Sequence, residues 1–132
     1  MKKIILLFLF TVCSVWAADE KLKESCGRLW ENVTKKRMYV TGGIGSSGHL
    51  ERFTTDYDLP NDRMYCESCA SVGLMMFGQR MAELTREAHY YDEVERALCN
   101  TVLAGISAEG EYYFYVVNTV LKHTELGLNF KL

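Results

Sequence analysis

Asp56–Cys69 reads DYDLPNDRMYCESC and runs straight into Ala70–Thr85, ASVGLMMFGQRMAELT. The first half holds the chain's only proline, four acids and two cysteines, and the second half is a long apolar run. In the second half Leu74, Phe77, Met81 and Leu84 recur at helical spacing, and Met75 and Met76 widen the stripe, so a core-facing helix is predicted. The methionines read as gap-filling core. Asp56, Asp58 and Asp62 around Pro60 fit turn chemistry, and Asn61 and Asp62 suit a helix start. A turn-rich loop thus delivers Glu67 and Cys69 onto the start of a buried helix.

Downstream, Asp92 with Glu95 forms a capping-box-like pair that opens a second helix carrying Val94, Leu98 and Val102, and Gly105 ends it. The two helices are expected to form an antiparallel hairpin, with Cys99 as a structural cysteine inside the second. The period then changes. Ala108–Glu111 is a turn, and Tyr112–Val117 is a β-rich aromatic run, so Ile106–Val117 reads as a small β-hairpin. Asn118–Leu132 shows no clear period.

Upstream, Leu22, Cys26, Leu29, Trp30 and Val33 make an amphipathic helix of Ala18–Arg37, with Cys26 as a small buried hydrophobe. Asn32-Val33-Thr34 is a glycosylation sequon placed within that helix. Met38–Thr41 is a short extended piece leading into GGIGSSG. Gly43, Gly45 and Gly48 satisfy GxGxxG, but no amphipathic helix follows, so a flexible positioning loop is expected and not a dinucleotide cradle. Glu51, between Leu50 and Arg52-Phe53, is a candidate general acid if its apolar neighbours close it from water.

The 132 residues bound the chain to one domain. Lys2 and Lys3, the apolar run Ile4–Phe10 and the small residues Val15 and Ala17 form a signal-peptide pattern over residues 1–17, which predicts export. Losing the two lysines takes the net charge from -2 to -4. Neither nucleic acid nor membrane is then an expected partner, since no basic patch is present. Cys26, Cys66, Cys69 and Cys99 stay in the exported chain and could form two disulfides.

Cys66-Glu67-Ser68-Cys69 leaves several chemistries open. As a CxxC at a helix start it could be a redox dithiol, but the βαβ context is missing. A zinc knuckle needs a second ligand pair at comparable spacing, which is absent. Glu67 with Cys69 offers zinc an oxygen and a sulfur ligand. Residues two apart share a side only in extended chain, so both would have to reach the ion from the loop before the helix. Disulfide or inert cysteines are the further alternatives.

The ordered blocks WENVTKKRMYVTGGIGS (Trp30–Ser46), ERF (Glu51–Phe53), YDLPND (Tyr57–Asp62), YCESCASVG (Tyr65–Gly73), ERALCN (Glu95–Asn100), VLAGIS (Val102–Ser107) and YFYVVN (Tyr113–Asn118) resemble glycoside hydrolase family 127, the β-L-arabinofuranosidases. The likeness runs from about Leu29 to about Asn118. It implies a mainly α fold, with residues 18–132 as part of an (α/α)6 barrel. It also implies a retaining glycosidase acting on furanoside glycans, with a zinc-supported cysteine nucleophile and a glutamate acid/base. By motif, Glu51 matches the acid/base, Glu67 and Cys69 match two zinc ligands, and Tyr115 matches a sugar-pocket tyrosine. The family's remaining two ligands are adjacent cysteines, one of them the nucleophile, and this sequence has no Cys-Cys pair. The resemblance therefore implies a truncated chain, inactive by itself, with an incomplete zinc site and an exposed apolar face open to self-association. The alternative reading is a small exported binding module clipped by disulfides or a metal.

Overall fold

The structure, a computed structural model, describes residues 2–117 and 129–131, with side chains described for 19–117. It is mainly helical. Helix α1 spans Lys2–Lys36, α2 spans Ser68–Thr85 and α3 spans His89–Ala97. Strands β1 (Tyr112–Phe114) and β2 (Asn129–Lys131) form an antiparallel pair. The signal-peptide reading of residues 1–17 falls on side chains outside the described residues.

Trp30 organises the core. Its indole is 2% exposed and meets Phe77 of α2 edge-on at 5.5 Å and Tyr90 of α3 at 5.2 Å. Leu74, Met81, Ala82, Ala97 and Ile44 complete the buried cluster. The predicted stripe of α2 is thus observed at Leu74, Phe77 and Met81, whereas Leu84 faces outward. On α1, Trp30, Cys26 and Val33 lie on the core side, but Leu22 and Leu29 are exposed, because one helical hairpin covers only part of the apolar arc.

Gly78 sits where the three helices meet, and a methyl there would come within 2.6 Å of Val94 Cγ2 and 2.7 Å of Trp30 Cη2. Helix α2 ends on Arg86 in the left-handed conformation, its N–H returning to the Ala82 carbonyl. Residues 86–88 then lead into α3, which packs along α2 as expected. Helix α3 begins at His89 and not at Asp92, with Ala88 at its N-cap position and Asp92 inside the first turn. Seating Tyr90 against Trp30 outweighs the capping signal. The helix continues through a π turn at Leu98–Val102 and a 3-10 turn at Leu103–Gly105. Cys99, expected to be structural, is exposed on the π turn, while Thr101 of the same turn is buried and donates to the Thr41 carbonyl at 3.2 Å.

The expected β-hairpin of 106–117 is reduced to one bridge, Ile106 to Tyr113, because Tyr112–Phe114 pairs along its length with Asn129–Lys131. Before α2, Met38 and Ile44 close a tight turn in which Tyr39 N–H donates to the Gly43 carbonyl. The glycine loop is packed closely against its neighbours. A methyl on Gly42 (φ +88) would meet Ala97 N at 2.6 Å, and one on Gly45 (φ +109) would meet the Tyr65 carbonyl at 2.5 Å. Gly48 lies against the Tyr65 ring, and only a 3-10 turn, His49–Glu51, follows it, in keeping with the rejected dinucleotide reading.

Arg37 anchors the segment after this loop. It donates to the Thr54 carbonyl, to Asn32 Oδ1 at 2.7 Å and to Asp56 Oδ1 at 2.5 Å, and it lies over the Phe53 ring. The sequon asparagine is therefore already engaged through its amide oxygen. Among the described residues no helix is long and apolar enough to cross a membrane.

Candidate active site

The site forms where the CESC segment meets the end of β1. Ser68 N–H donates to the Tyr115 carbonyl and Val117 N–H to the Cys66 carbonyl, so Cys66–Ser68 runs as a short extended piece beside Tyr115–Val117. Extended chain places Cys66 and Glu67 on opposite sides. Cys66 goes inward, fully buried with Tyr39 and Met64 and pressed on Gly43. Burial pushes its thiol up to about 12, so it is an inert core thiol. Glu67 goes to the other side, toward Cys69 and Tyr115.

Helix α2 begins at Ser68, not near Asn61 and Asp62, and Glu67 is its N-cap residue at φ -74, ψ 140. A glutamate there could turn its carboxylate back to the free N–H groups of the first turn, but no such bond forms. Instead Glu67 Oε2 accepts from the Cys69 thiol at 2.7 Å. The spacing argument placed both ligands in the loop. In the structure Glu67 is extended and Cys69 belongs to the first helical turn, and this change of direction lets side chains two apart converge.

Glu67 is 7% exposed, and its Oε1 is buried without a hydrogen-bond partner. A buried carboxylate oxygen lacking a donor is unfavourable by about 1–3 kcal/mol or more. A cation at Oε1, with the Cys69 thiolate beside it, would relieve that cost, and oxygen plus sulfur is a donor set that suits zinc. Among the described residues no group of three or more His, Cys, Asp or Glu side chains comes together. Burial, followed by the hydrogen bond to Glu67, raises the Cys69 pKa and keeps the thiol protonated as it stands.

Tyr115 closes the other side, its hydroxyl 3.9 Å from Cys69 Sγ. That contact is the leading reason its pKa is raised, ahead of burial and Glu67. Tyr65, which the sequence reading missed, connects the rest. Burial is the first cause of its raised pKa, followed by the negative charges of Glu67 and Glu51. The signal was available, since Tyr65 stands two residues before Glu67 in extended chain and so shares its side.

Glu51 enters from the 3-10 turn after Gly48. It and Leu50 have φ of 48 and 59, two successive left-handed residues that are not glycine. Such conformations are unfavourable by about 1–3 kcal/mol each and collect at functional sites. The apolar enclosure expected around Glu51 is not formed, because Glu51 is exposed, Leu50 is 73% exposed and Phe53 is turned to Arg37. Cys69, Tyr115 and Ser68 border a cleft of about 480 Å³ that continues over Val72, Val102, Ile106 and Phe114. Cys26, Cys66, Cys69 and Cys99 are all free.

These features coincide with clear relatives. The family described as "Beta-L-arabinofuranosidase, GH127 catalytic domain" matches residues 12–126. The chain is 48% identical over 111 residues to a non-reducing end β-L-arabinofuranosidase of Bifidobacterium longum subsp. longum, covering 84% of this chain and 17% of that protein. Among solved structures it resembles a GH127 β-L-arabinofuranosidase from Geobacillus stearothermophilus T6, at 50% identity and TM-score 0.74, over 77% of this chain and 16% of the other. A further GH127 β-arabinofuranosidase shows 39% identity and TM-score 0.66 over 67% of this chain and 14% of its own. The chain thus spans about a sixth of the length of these relatives, and its mainly helical fold is that of a fragment of the GH127 helical barrel. From the extent of that match and the order of its blocks, this chain belongs to the GH127 β-L-arabinofuranosidase family.

Proposed function

We propose that this chain carries the acid/base side and part of the zinc shell of a retaining glycosidase that cleaves β-L-arabinofuranosides in furanoside glycans. The observation that carries the reading is the convergence of Glu67, Cys69 and Tyr115. Glu51 gives its proton to the departing glycosidic oxygen and later takes one from the attacking water. Tyr115, at the edge of the cleft with its hydroxyl 3.9 Å from Cys69 Sγ, is the hydroxyl that would orient a sugar ring. When bound, zinc supplies a Lewis acid that lowers thiol pKa and fixes sulfur in place. Glu67 Oε1 and Cys69 Sγ are the atoms here that would hold it. The nucleophilic thiol is not among these residues, and the 132-residue chain assayed alone is expected to show no turnover. Export through residues 1–17 belongs to the same reading and is supported by the pattern of Lys2, Lys3, the apolar run and Ala17.

The test is a chimera in which residues 29–117 replace the corresponding stretch of the Geobacillus relative. It should hydrolyse β-L-arabinofuranosides, and Glu51→Gln should lower the rate by about 10²–10⁴-fold. The loss should be greater for a sugar leaving group than for nitrophenolate, which departs without a proton. A folded chimera in which Glu51→Gln leaves both rates unchanged would refute the acid/base role. Turnover by the 132-residue chain alone that Glu51→Gln abolishes would refute the incomplete site.

A further inference from the structure

We propose that Ser46 and Arg37 are positioning residues for Glu51: they grip Thr54 from two sides and so fix the loop that aims the acid carboxyl at the glycosidic oxygen. The inference rests on the acid/base reading of Glu51 and goes beyond it in naming what holds that side chain in line.

Leu50 and Glu51 stand in the left-handed region at φ 59 and 48, and both are exposed, so no packed shell around them explains the conformation. Left-handed residues other than glycine persist only where the surrounding chain over-determines them. Here the loop is closed twice. Immediately after Glu51, Arg52 N–H donates to the Ser47 carbonyl at 3.2 Å. Two residues further on, every polar atom of Thr54 is engaged. Its N–H donates to Ser46 Oγ at 3.2 Å, its hydroxyl shares a hydrogen bond with the same oxygen at 2.9 Å, and its carbonyl accepts from Arg37.

Both jaws of this clamp are themselves fixed. Ser46 is 8% exposed, and a methyl on the preceding Gly45 would meet the Tyr65 carbonyl at 2.5 Å, so the chain there lies directly on the segment that leads to Glu67. Arg37 follows α1 with its N–H on the Val33 carbonyl at 3.0 Å, and its guanidinium is also held by Asn32 of that helix and by Asp56. Glu51 is thereby tied on one side to the strand-like piece carrying Glu67 and on the other to α1. Ser46, Thr54 and Arg37 do not border the cleft beside Cys69, so they act through Glu51 and not on the sugar. A general acid works only within hydrogen-bond reach of the oxygen it protonates, and a misplacement of about 1 Å can lower the rate about 10²-fold.

The experiment uses the chimera carrying residues 29–117 in the Geobacillus relative, with one substrate that has a sugar leaving group and one that releases nitrophenolate. For both, kcat/KM reports the bond-breaking step, which needs the proton only when a sugar departs. Ser46→Ala should lower kcat/KM by about 10–10²-fold for the sugar leaving group and hardly change it for nitrophenolate. Thr54→Val, which keeps the shape and the backbone carbonyl, should act in the same direction, and Thr54→Ser should keep the parent rate. Arg37→Lys retains the charge but not the fork that spans three partners, and it should resemble Ser46→Ala. In the Glu51→Gln background Ser46→Ala should cost nothing further, because groups that act as a unit are not additive. An equal loss on both substrates reports fewer folded molecules and would overturn the positioning role. So would unchanged rates in both Ser46→Ala and Thr54→Val, or a further loss in the Glu51→Gln background. Loss in Glu51→Gln without loss in the clamp variants would refute the clamp alone, whereas no loss in Glu51→Gln would bring down the acid/base reading and the clamp with it.

Discussion

Gly73 and Gly78 both lie inside α2, and the structure predicts opposite outcomes for the same substitution. In a helix interior, alanine is better than glycine by about 1 kcal/mol, so propensity alone favours both changes. At Gly73 nothing lies within 4 Å of the added methyl, and the full gain should appear. At Gly78 the methyl would stand 2.6 Å from Val94 Cγ2, 2.7 Å from Trp30 Cη2 and 3.1 Å from Trp30 Cζ3. Carbon contacts settle at about 3.5–4.0 Å, so one helix must retreat by about 1 Å. Neither neighbour yields easily, because Trp30 is fully enclosed and valine is stiff at χ1 in a helix. Overpacking of this kind is unfavourable by about 1–3 kcal/mol, which outweighs the propensity gain. Gly78→Ala should therefore lose about 1–2 kcal/mol and Gly73→Ala gain about 1 kcal/mol. For a domain of this size the two melting temperatures should differ by roughly 6–12 °C. Urea unfolding followed by tryptophan fluorescence, with thermal melts by circular dichroism, measures both. Adding Val94→Ala to Gly78→Ala should recover part of the loss, as coupled neighbours do. Equal stabilisation by the two glycine substitutions would refute the three-helix junction at Gly78.

Alkali should act on the small cluster of Tyr39, Met64 and Cys66. Burial raises Cys66 from 9.0 to about 12 and Tyr39 from 10.0 to about 12, so the folded state resists their ionisation. Stability from these groups is fully present below about pH 9 and is lost as pH rises toward 12, so urea midpoints should fall over that window and fall less steeply in Cys66→Ala. A midpoint that does not move between pH 8.5 and about pH 11 would contradict this. Thiol labelling of the native chain should modify Cys99 readily and Cys69 more slowly, since its proton is held on Glu67, and it should reach Cys66 only at the rate of unfolding. Mass mapping after timed labelling would reveal the wrong order.

Helices were legible where one side chain period met one core. Leu74, Phe77 and Met81 declare α2 because all three contact the Trp30 cluster. Leu22, Leu29 and Leu84 share the same periodic signal yet face outward, since period identifies an apolar arc but not which part of it a neighbour covers. The start of α3 was misread for a related reason: Asp92 carries a local capping signal, whereas His89 is set by the distant contact of Tyr90 with Trp30. At the site, the motif drew attention to Cys66 and Cys69 as a pair. What separates them is the bridge between Glu67 and Val116, which turns Cys66 inward and leaves Cys69 with Glu67, and nothing near the CxxC encodes it. Tyr65 was readable from extended-chain alternation alone.

That bridge also sets an order of assembly. Glu67 and Cys69 are two residues apart and can meet as soon as the first turn of α2 exists. Tyr115 reaches them only when segments roughly 50 residues apart close on each other, at a chain-entropy cost of about 3 kcal/mol that the local pair never meets. The α2–α3 hairpin, built from near-neighbour contacts, should form quickly, and the tyrosine side of the cleft should be the last part to take shape. The carboxylate and thiol would then be paired before there is a cleft for them to serve.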